Sequence, residues 1–367
     1  MHFDTSLIIL LSFKIRTCIM YNIFRLIFFI QFISCDYDEV SFMSLIDYNR
    51  GDYSNLILSS PHGGFLGANI TMLQKLPNAG CYNNSLQRCV YTERDCLRLD
   101  INGSFIFQSD ARCVNERTST SQMFYLTLAI ANEYKTLTNH RPYTILNRLT
   151  RQYLDPAEDL LMGTFLLENA TRLYMDYHRL IAMSKESIKS RYSRGLMIEF
   201  IFHKYSQTIH LGYGYSHHEW KTHNYNLSKS TIMELLVRKV DPTSVIVGNH
   251  SLSHFLQLVG FQHVIPSLRK QNSDEHIIKY RPSTYSTEIH SCKTLGGRIN
   301  SILFSYPIER LRSHSLNMEA SRIAQAVHNF INANDMKLLS SNAYSIESMQ
   351  YFLWSFIYLL PYCFLHI

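Results

Sequence analysis

Leu56-Ile57-Leu58-Ser59-Ser60-Pro61-His62-Gly63-Gly64-Phe65 is the stretch on which the reading of this chain turns. A short apolar run passes into two serines and is stopped by Pro61, which has no N–H to give to a sheet ladder. His62 falls on the turn, and Gly63-Gly64 lets backbone come close to whatever His62 faces. Open α/β sheets put their ligand sites at the carboxyl ends of strands. The stretch therefore reads as a first strand that delivers a histidine to such an edge. A lone histidine in a turn is more often a plain surface residue, so the weight lies in the other segments of the chain.

Outward from this strand, residues 195–202 (Gly-Leu-Met-Ile-Glu-Phe-Ile-Phe) are almost continuously apolar, as in a strand covered on both faces of a parallel sheet. Residues 142–147 read as a second strand, running into Arg148 and on to Asp155-Pro156. There Asp155 reads as the cap and Pro156 as the first position of a long helix reaching about Met183. Helical spacing marks residues 121–134, 230–237, 251–258 and 319–332; residues 210–215, 245–247 and 300–306 read as further strands. Alternating strands and helices predict an α/β domain over residues 36–335: three layers, α/β/α, around a central, mostly parallel mixed sheet of the phosphorylase/hydrolase type. Residues 67–117 are loop-rich and hold four cysteines, as a surface insertion would.

With 367 residues, 46% of them hydrophobic, the chain can bury a large core. Its net charge of +6 comes from scattered basic residues with no dense run, which argues against a nucleic-acid partner. The ends have their own signatures. Residues 22–35 are apolar, end in small residues and precede Asp36-Tyr37-Asp38-Glu39, so residues 1–35 read as a secretory signal peptide, with Met20 an alternative start and a retained signal anchor the competing reading. Ser340-Ser341-Asn342-Ala343, a polar spacer and the apolar tail 351–367 read as a GPI-attachment signal over 336–367, with a transmembrane tail as the alternative. Both readings place the protein in the secretory pathway and at the extracellular face of the plasma membrane. Sequons at Asn69, Asn83, Asn102, Asn169, Asn226 and Asn249 fit a glycoprotein. In an oxidising compartment Cys81, Cys89, Cys96 and Cys113 should form two local bridges of undetermined connectivity, leaving Cys292 as the odd one.

Several short motifs recur in a telling order: Ser60-Pro61-His62-Gly63-Gly64, Asn78-Ala79-Gly80-Cys81, Leu146-Asn147-Arg148-Leu149 with Arg151 and Asp155, Tyr177-His178, residues 195–199, Leu211-Gly212-Tyr213, Gly248-Asn249-His250-Ser251-Leu252, Pro266-Ser267 and Gly296-Gly297-Arg298. Together, over about residues 56–332, they resemble the N-formylglutamate amidohydrolase family, especially its secreted animal members, which are similar in fold to zinc carboxypeptidases and aspartoacylase. The resemblance implies a zinc-activated water attacking a formamide or amide carbon. Such chemistry needs histidine or carboxylate ligands with one open position, an arginine for a substrate carboxylate and a carboxylate base. It implies His62 and His203 as metal ligands, Arg151, Asp155 and Glu199 as catalytic groups, Arg151 and Arg298 as substrate contacts, and a small N-acyl amino acid as the partner.

The chain departs from the family pattern where the chemistry would be. The central strand of the family ends in Asp-Ile-His; here it reads Glu199-Phe200-Ile201, so the second histidine falls on Ile201 and His203 could replace it only if the strand end shifts. The glutamate of the last strand is Ser305, and a serine takes no proton at neutral pH without a base of its own. The expectation is therefore a surface glycoprotein with a degenerate metal site, a pseudoenzyme that acts by binding N-acyl amino acids or another surface ligand. The alternatives are an active zinc amidohydrolase that recruits Glu199 or His203, and a structural coat protein whose cleft has filled in.

Overall fold

In the computed structural model the described residues run from 45 to 336, leaving aside 68–72, 77–80, 86, 91–95, 100–104, 108–109, 111–112, 114–118, 193, 205, 240, 269–279 and 294–296. The leader 1–35, residues 337–367 of the tail signal, and the sequons at Asn69 and Asn102 lie outside the described residues. The chain divides into two compact units, Met1–Leu45 and Ile46–Ile367, and only Leu45 of the first is described. Among the described residues no helix is long and apolar enough to cross a membrane.

The second unit is built on a seven-stranded mixed sheet. Its strands are β1 (Ile46–Asn49), β2 (Leu56–Ser60), β7 (Tyr143–Asn147), β8 (Gly195–His203), β9 (Ile209–Gly212), β10 (Val264–Ile265) and β11 (Ile299–Pro307), in the spatial order β1-β7-β2-β8-β11-β9-β10. The pairs β7/β2, β2/β8, β8/β11 and β9/β10 are parallel; β1/β7 and β11/β9 are antiparallel. The apolar run at 195–202 thus occupies the centre, between two parallel neighbours. The run ending at Ser60 lies beside it, as the sequence predicts.

Alternation along the strands assigns the two faces. Leu56, Leu58, Leu196, Ile198, Phe200, Ile302, Phe304 and Tyr306 join one apolar core with Met123, Leu126 and Ile130 of α1 (Ser121–Thr138) and with Ile323, Val327 and Phe330 of the last helix, Leu316–Ala333. The other face carries Ser59, Glu199 and Tyr143, whose hydroxyl meets Ser187 at 2.6 Å on the long helix Glu168–Lys189. This makes the three-layer α/β/α arrangement that the periodicity predicts. The insertion holds two hairpins, β3 (Cys81–Asn83) with β4 (Arg88–Val90) and β5 (Leu97–Leu99) with β6 (Phe105–Phe107). Two bridges staple it, Cys81–Cys96 and Cys89–Cys113, and Cys292 is a buried free thiol.

Two elements differ from the sequence reading. Residues 245 and 246 belong to a one-turn helix, Thr243–Ile246, with Val247 as its C-cap, and not to a strand. A three-residue apolar run has no period of its own, and here Pro242 starts a turn that Gly248 closes through its N–H to Thr243. Asp155-Pro156 does not open a helix. Asp159 caps a short one, Leu160–Thr164; left-handed Phe165 and Leu166 break the chain, and the long helix begins at Glu168. The Asp155 carboxylate is engaged elsewhere.

Candidate functional site

The turn after β2 is locked onto the segment after β7. The N–H groups of Phe65 and Leu66 both donate to the Arg148 carbonyl at 2.8 Å. A Cβ on Gly64 would stand 1.7 Å from the Leu149 carbonyl oxygen, so only glycine allows this approach. The glycine pair thus admits the chain's own backbone. Buried Asn147 completes the lock, its Nδ2 donating to the Pro61 carbonyl at 2.9 Å and its Oδ1 accepting from Leu149 N at 3.0 Å. His62 is thereby held over Asp155.

Asp155 is the hub. His62 Nε2 stands 2.9 Å from its Oδ1, and Arg151 reaches Oδ2 with Nε at 2.8 Å and a terminal nitrogen at 2.7 Å. Burial, with the Arg151 charge, brings the His62 pKa down to about 4, so the ring is neutral near pH 7. A carboxylate only accepts; Nε2 must therefore carry the hydrogen, leaving Nδ1 as the ring's one lone pair. Next to this triad Arg281 donates to Glu158 Oε1 at 3.1 Å. Burial works against the Arg281 charge, yet Glu158 and Asp155 outweigh it and its pKa is raised.

Glu199 lies deeper, paired across the sheet with Ser59 on β2 and Leu303 on β11. It is fully buried and accepts from the Thr284 hydroxyl. Burial pushes its carboxyl up to about 7, against the hydrogen-bonding hydroxyls of Thr284 and Ser286 and the Arg281 charge; Asp155 is near enough to push the same way. Tyr177, fully buried on the long helix, feels both Glu199 and Asp155, and its pKa is raised well above the usual value.

The structure brings His62, Arg151 and Asp155 into contact and sets Glu199 within electrostatic reach of them. Two of the sequence-derived residues stand elsewhere. His203, at the end of β8, is hydrogen-bonded by Nε2 to the Thr208 carbonyl at 2.9 Å and stacked on His210 at 4.5 Å between ring centres. Arg298 is exposed at the amino end of β11, opposite the strand ends that carry His62 and Asp155. The second guanidinium near Asp155, after Arg151, is instead Arg281. Nothing in the sequence singled it out, because Arg281-Pro282-Ser283-Thr284 has no spacing relation to the other motifs. Ser305 and Ile201 are direct register partners on adjacent strands, on the face that carries Glu199.

Comparison adds little to this geometry. The chain matches no protein-family signature. It matches no curated protein sequence either. Among solved structures it is similar to the N-formylglutamate amidohydrolase from Ralstonia eutropha JMP134, with a TM-score of 0.43, 10% identity and coverage of 79% of this chain and 98% of that one. It is also similar to a gene product of Agrobacterium tumefaciens, with a TM-score of 0.41, 7% identity and coverage of 79% and 93%. Scores and identities this low leave the functional reading to the residues of this chain.

A zinc ion is tested by the donors themselves. His62 gives its Nε2–H to Asp155 and keeps the Nδ1 lone pair as a donor, the orientation in which a carboxylate holds a metal-binding histidine; His203, by contrast, turns to a carbonyl. Among the described residues no three His, Cys, Asp or Glu side chains stand together as a metal site requires. His62 Nδ1 by itself does not make a zinc site. Of the described sequons, Asn226 and Asn249 are exposed and Asn83 and Asn169 partly so.

Proposed function

We propose that the protein is a surface glycoprotein of the secretory pathway, held at the outer face of the plasma membrane by its C-terminal tail, that binds a small carboxylate-bearing ligand of the N-acyl amino acid kind without hydrolysing it through zinc. One observation carries this reading. His203 is turned to the Thr208 carbonyl, and among the described residues no three His, Cys, Asp or Glu side chains stand together, so His62, whose Nδ1 stays open while Nε2 is held by Asp155, lacks partners with which to hold zinc. The adjacent pair Ile201 and Ser305 supports it, because these side chains supply neither a ligand nor a base. For ligand capture, Arg281 is the suitable group. Both it and its ion-pair partner Glu158 are about one-third exposed, a setting in which ion pairs are weak and a ligand carboxylate can displace Glu158. The two disulfides accord with an oxidising compartment.

Titration with N-formyl and N-acetyl amino acids, followed by calorimetry, tests the reading. Saturable binding, weakened about tenfold or more by Arg281→Met and without turnover, is the expected result; turnover of the same compounds overturns it. Release of the protein from cells by a phosphatidylinositol-specific phospholipase tests the anchor. One observation favours the amidohydrolase alternative: a buried carboxyl poised at about 7, as at Glu199, suits a general base. Turnover that vanishes in Glu199→Gln would install that alternative.

A further inference from the structure

Tyr177-His178 is a motif that the triad does not use. His178 lies on the buried face of the long helix. Its Nδ1 meets Nε2 of His290 at 2.8 Å, with the two rings stacked at 5.1 Å between centres. Tyr174 and Tyr177 pack on His178 at 4.3 and 5.6 Å between ring centres, and both histidines are more than nine-tenths buried. A contact between two ring nitrogens needs a hydrogen on one and a lone pair on the other. The Pro156 carbonyl is near enough to hold a hydrogen on His178 Nε2, which leaves Nδ1 to accept from His290 Nε2–H.

His290 closes the segment that brings Arg281 and Thr284 to the site. The segment starts at Arg281, paired with Glu158. It docks through the Thr284 hydroxyl on Glu199 and the Tyr285 N–H on the Ala157 carbonyl at 3.0 Å, then runs through the short helix Tyr285–Ile289 to His290. The carboxylates of the surrounding elements are engaged elsewhere. Asp155 holds His62 and Arg151, Glu158 pairs with Arg281, Glu199 accepts from Thr284, and Glu288 accepts from Ser283. The charge that does act on His290 is a cation, Lys185, buried two helical turns beyond His178 on the same face. Burial keeps the Cys292 thiol, two residues past His290, neutral. We infer that the His178–His290 contact is an acid-sensitive latch, which holds residues 281–290 against the long helix while both rings are neutral and releases them on protonation. A first proton puts an imidazolium in the interior with no anion beside it; a second removes the lone pair and breaks the contact. Burial holds His178 down at about 4 and His290 well below its usual value, so the latch is fully made above pH 6.5 and is lost as pH falls toward 4. On the ligand-binding reading above, release also loosens Arg281, so acid discharges the ligand; the latch itself does not rest on that reading.

Hydrogen exchange of the full chain tests the latch, read by mass spectrometry on peptides covering residues 281–292 at pH 7 and pH 5 and corrected for the intrinsic pH dependence of exchange. A ring that titrates at about 4 when latched and at 6.5 when released favours the released form about 20-fold more at pH 5 than at pH 7. Protection across residues 285–291 should fall by about that factor. The fall should persist in His62→Gln, which separates it from the titration of the triad. It should be absent in His178→Phe/His290→Phe, where neither ring can take up a proton. Should that double variant not fold, His178→Gln takes its place, because its amide oxygen still accepts from His290 while the titrating ring is gone; the fall should then shrink. Equal protection at the two pH values in the unaltered protein, or an undiminished fall in the folded variant, overturns the inference.

Discussion

Replacing Asp155 by alanine removes the acceptor of three short contacts at once, from His62 Nε2 at 2.9 Å and from Arg151 at 2.8 and 2.7 Å. His62 is 3% exposed and Arg151 15%, so water replaces the carboxylate poorly at His62 and only in part at Arg151. Taking one partner from a buried charged pair costs about 3–5 kcal/mol; the partial exposure of Arg151 places this case near the lower end, at about 3 kcal/mol. With a urea m-value of about 3 kcal/mol/M for a protein of this size, the midpoint should fall by about 1 M. Asp155→Asn keeps the shape but turns an amide N–H₂ toward one of the two donors, and should cost about half as much. In Arg151→Met/Asp155→Ala the second change should be largely forgiven, with a coupling of about 1–2 kcal/mol. Equilibrium urea unfolding by tryptophan fluorescence and circular dichroism reads all of these. A midpoint for Asp155→Ala within about 0.3 M of the parent would refute the view that this carboxylate is the hub.

Gly64→Ala should destabilise by about 3 kcal/mol or disorder the turn, since its Cβ would meet the Leu149 carbonyl at 1.7 Å; the same urea titration measures it. Glu199, raised to about 7 from 4.5, keeps its proton in the folded state while the unfolded chain loses it. Its contribution is therefore full below about pH 4.5 and is lost as pH rises through 7, so the stability of the parent relative to Glu199→Gln should fall over that range. His62, lowered to about 4 from 6.5, acts the other way: its contribution is present above 6.5 and lost as pH falls through 4, and His62→Gln should flatten that acid limb. Peptide mapping without reductant should recover Cys81 linked to Cys96 and Cys89 linked to Cys113; the crossed pairings would contradict the fold of the insertion.

Much of this fold was legible because its signals are local. Pro61 ends β2 wherever the strand lies, and an apolar run as long as 195–202 fits only the centre of a sheet. The cysteine spacing marked the insertion, but the pairing needed the hairpins. Residues 245–247 misled because valine and isoleucine favour strands, while Pro242 and Gly248 dictated a turn. Asp155-Pro156 misled for a different reason. The capping pattern is genuine, but a buried histidine and an arginine compete for the same carboxylate and win. The site was legible in part: His62, Arg151, Asp155 and Glu199 lie in motifs whose order could be read. Arg281, Thr284 and Ser286 could not be, because only the folding of a distant segment back across β8 brings them to Glu199. Arg298 belongs to a motif, yet it falls at the wrong end of its strand.

A site that does not work through zinc is tested most directly by zinc content measured together with hydrolysis of N-formyl and N-acyl amino acids, on the secreted and deglycosylated protein. Far less than one zinc per chain and no zinc-dependent turnover are the expected results. Gains in both are expected when Ile201→His and Ser305→Glu are introduced together. Close to one zinc per chain in the unaltered protein, with hydrolysis lost on chelation and restored by zinc, would contradict the account.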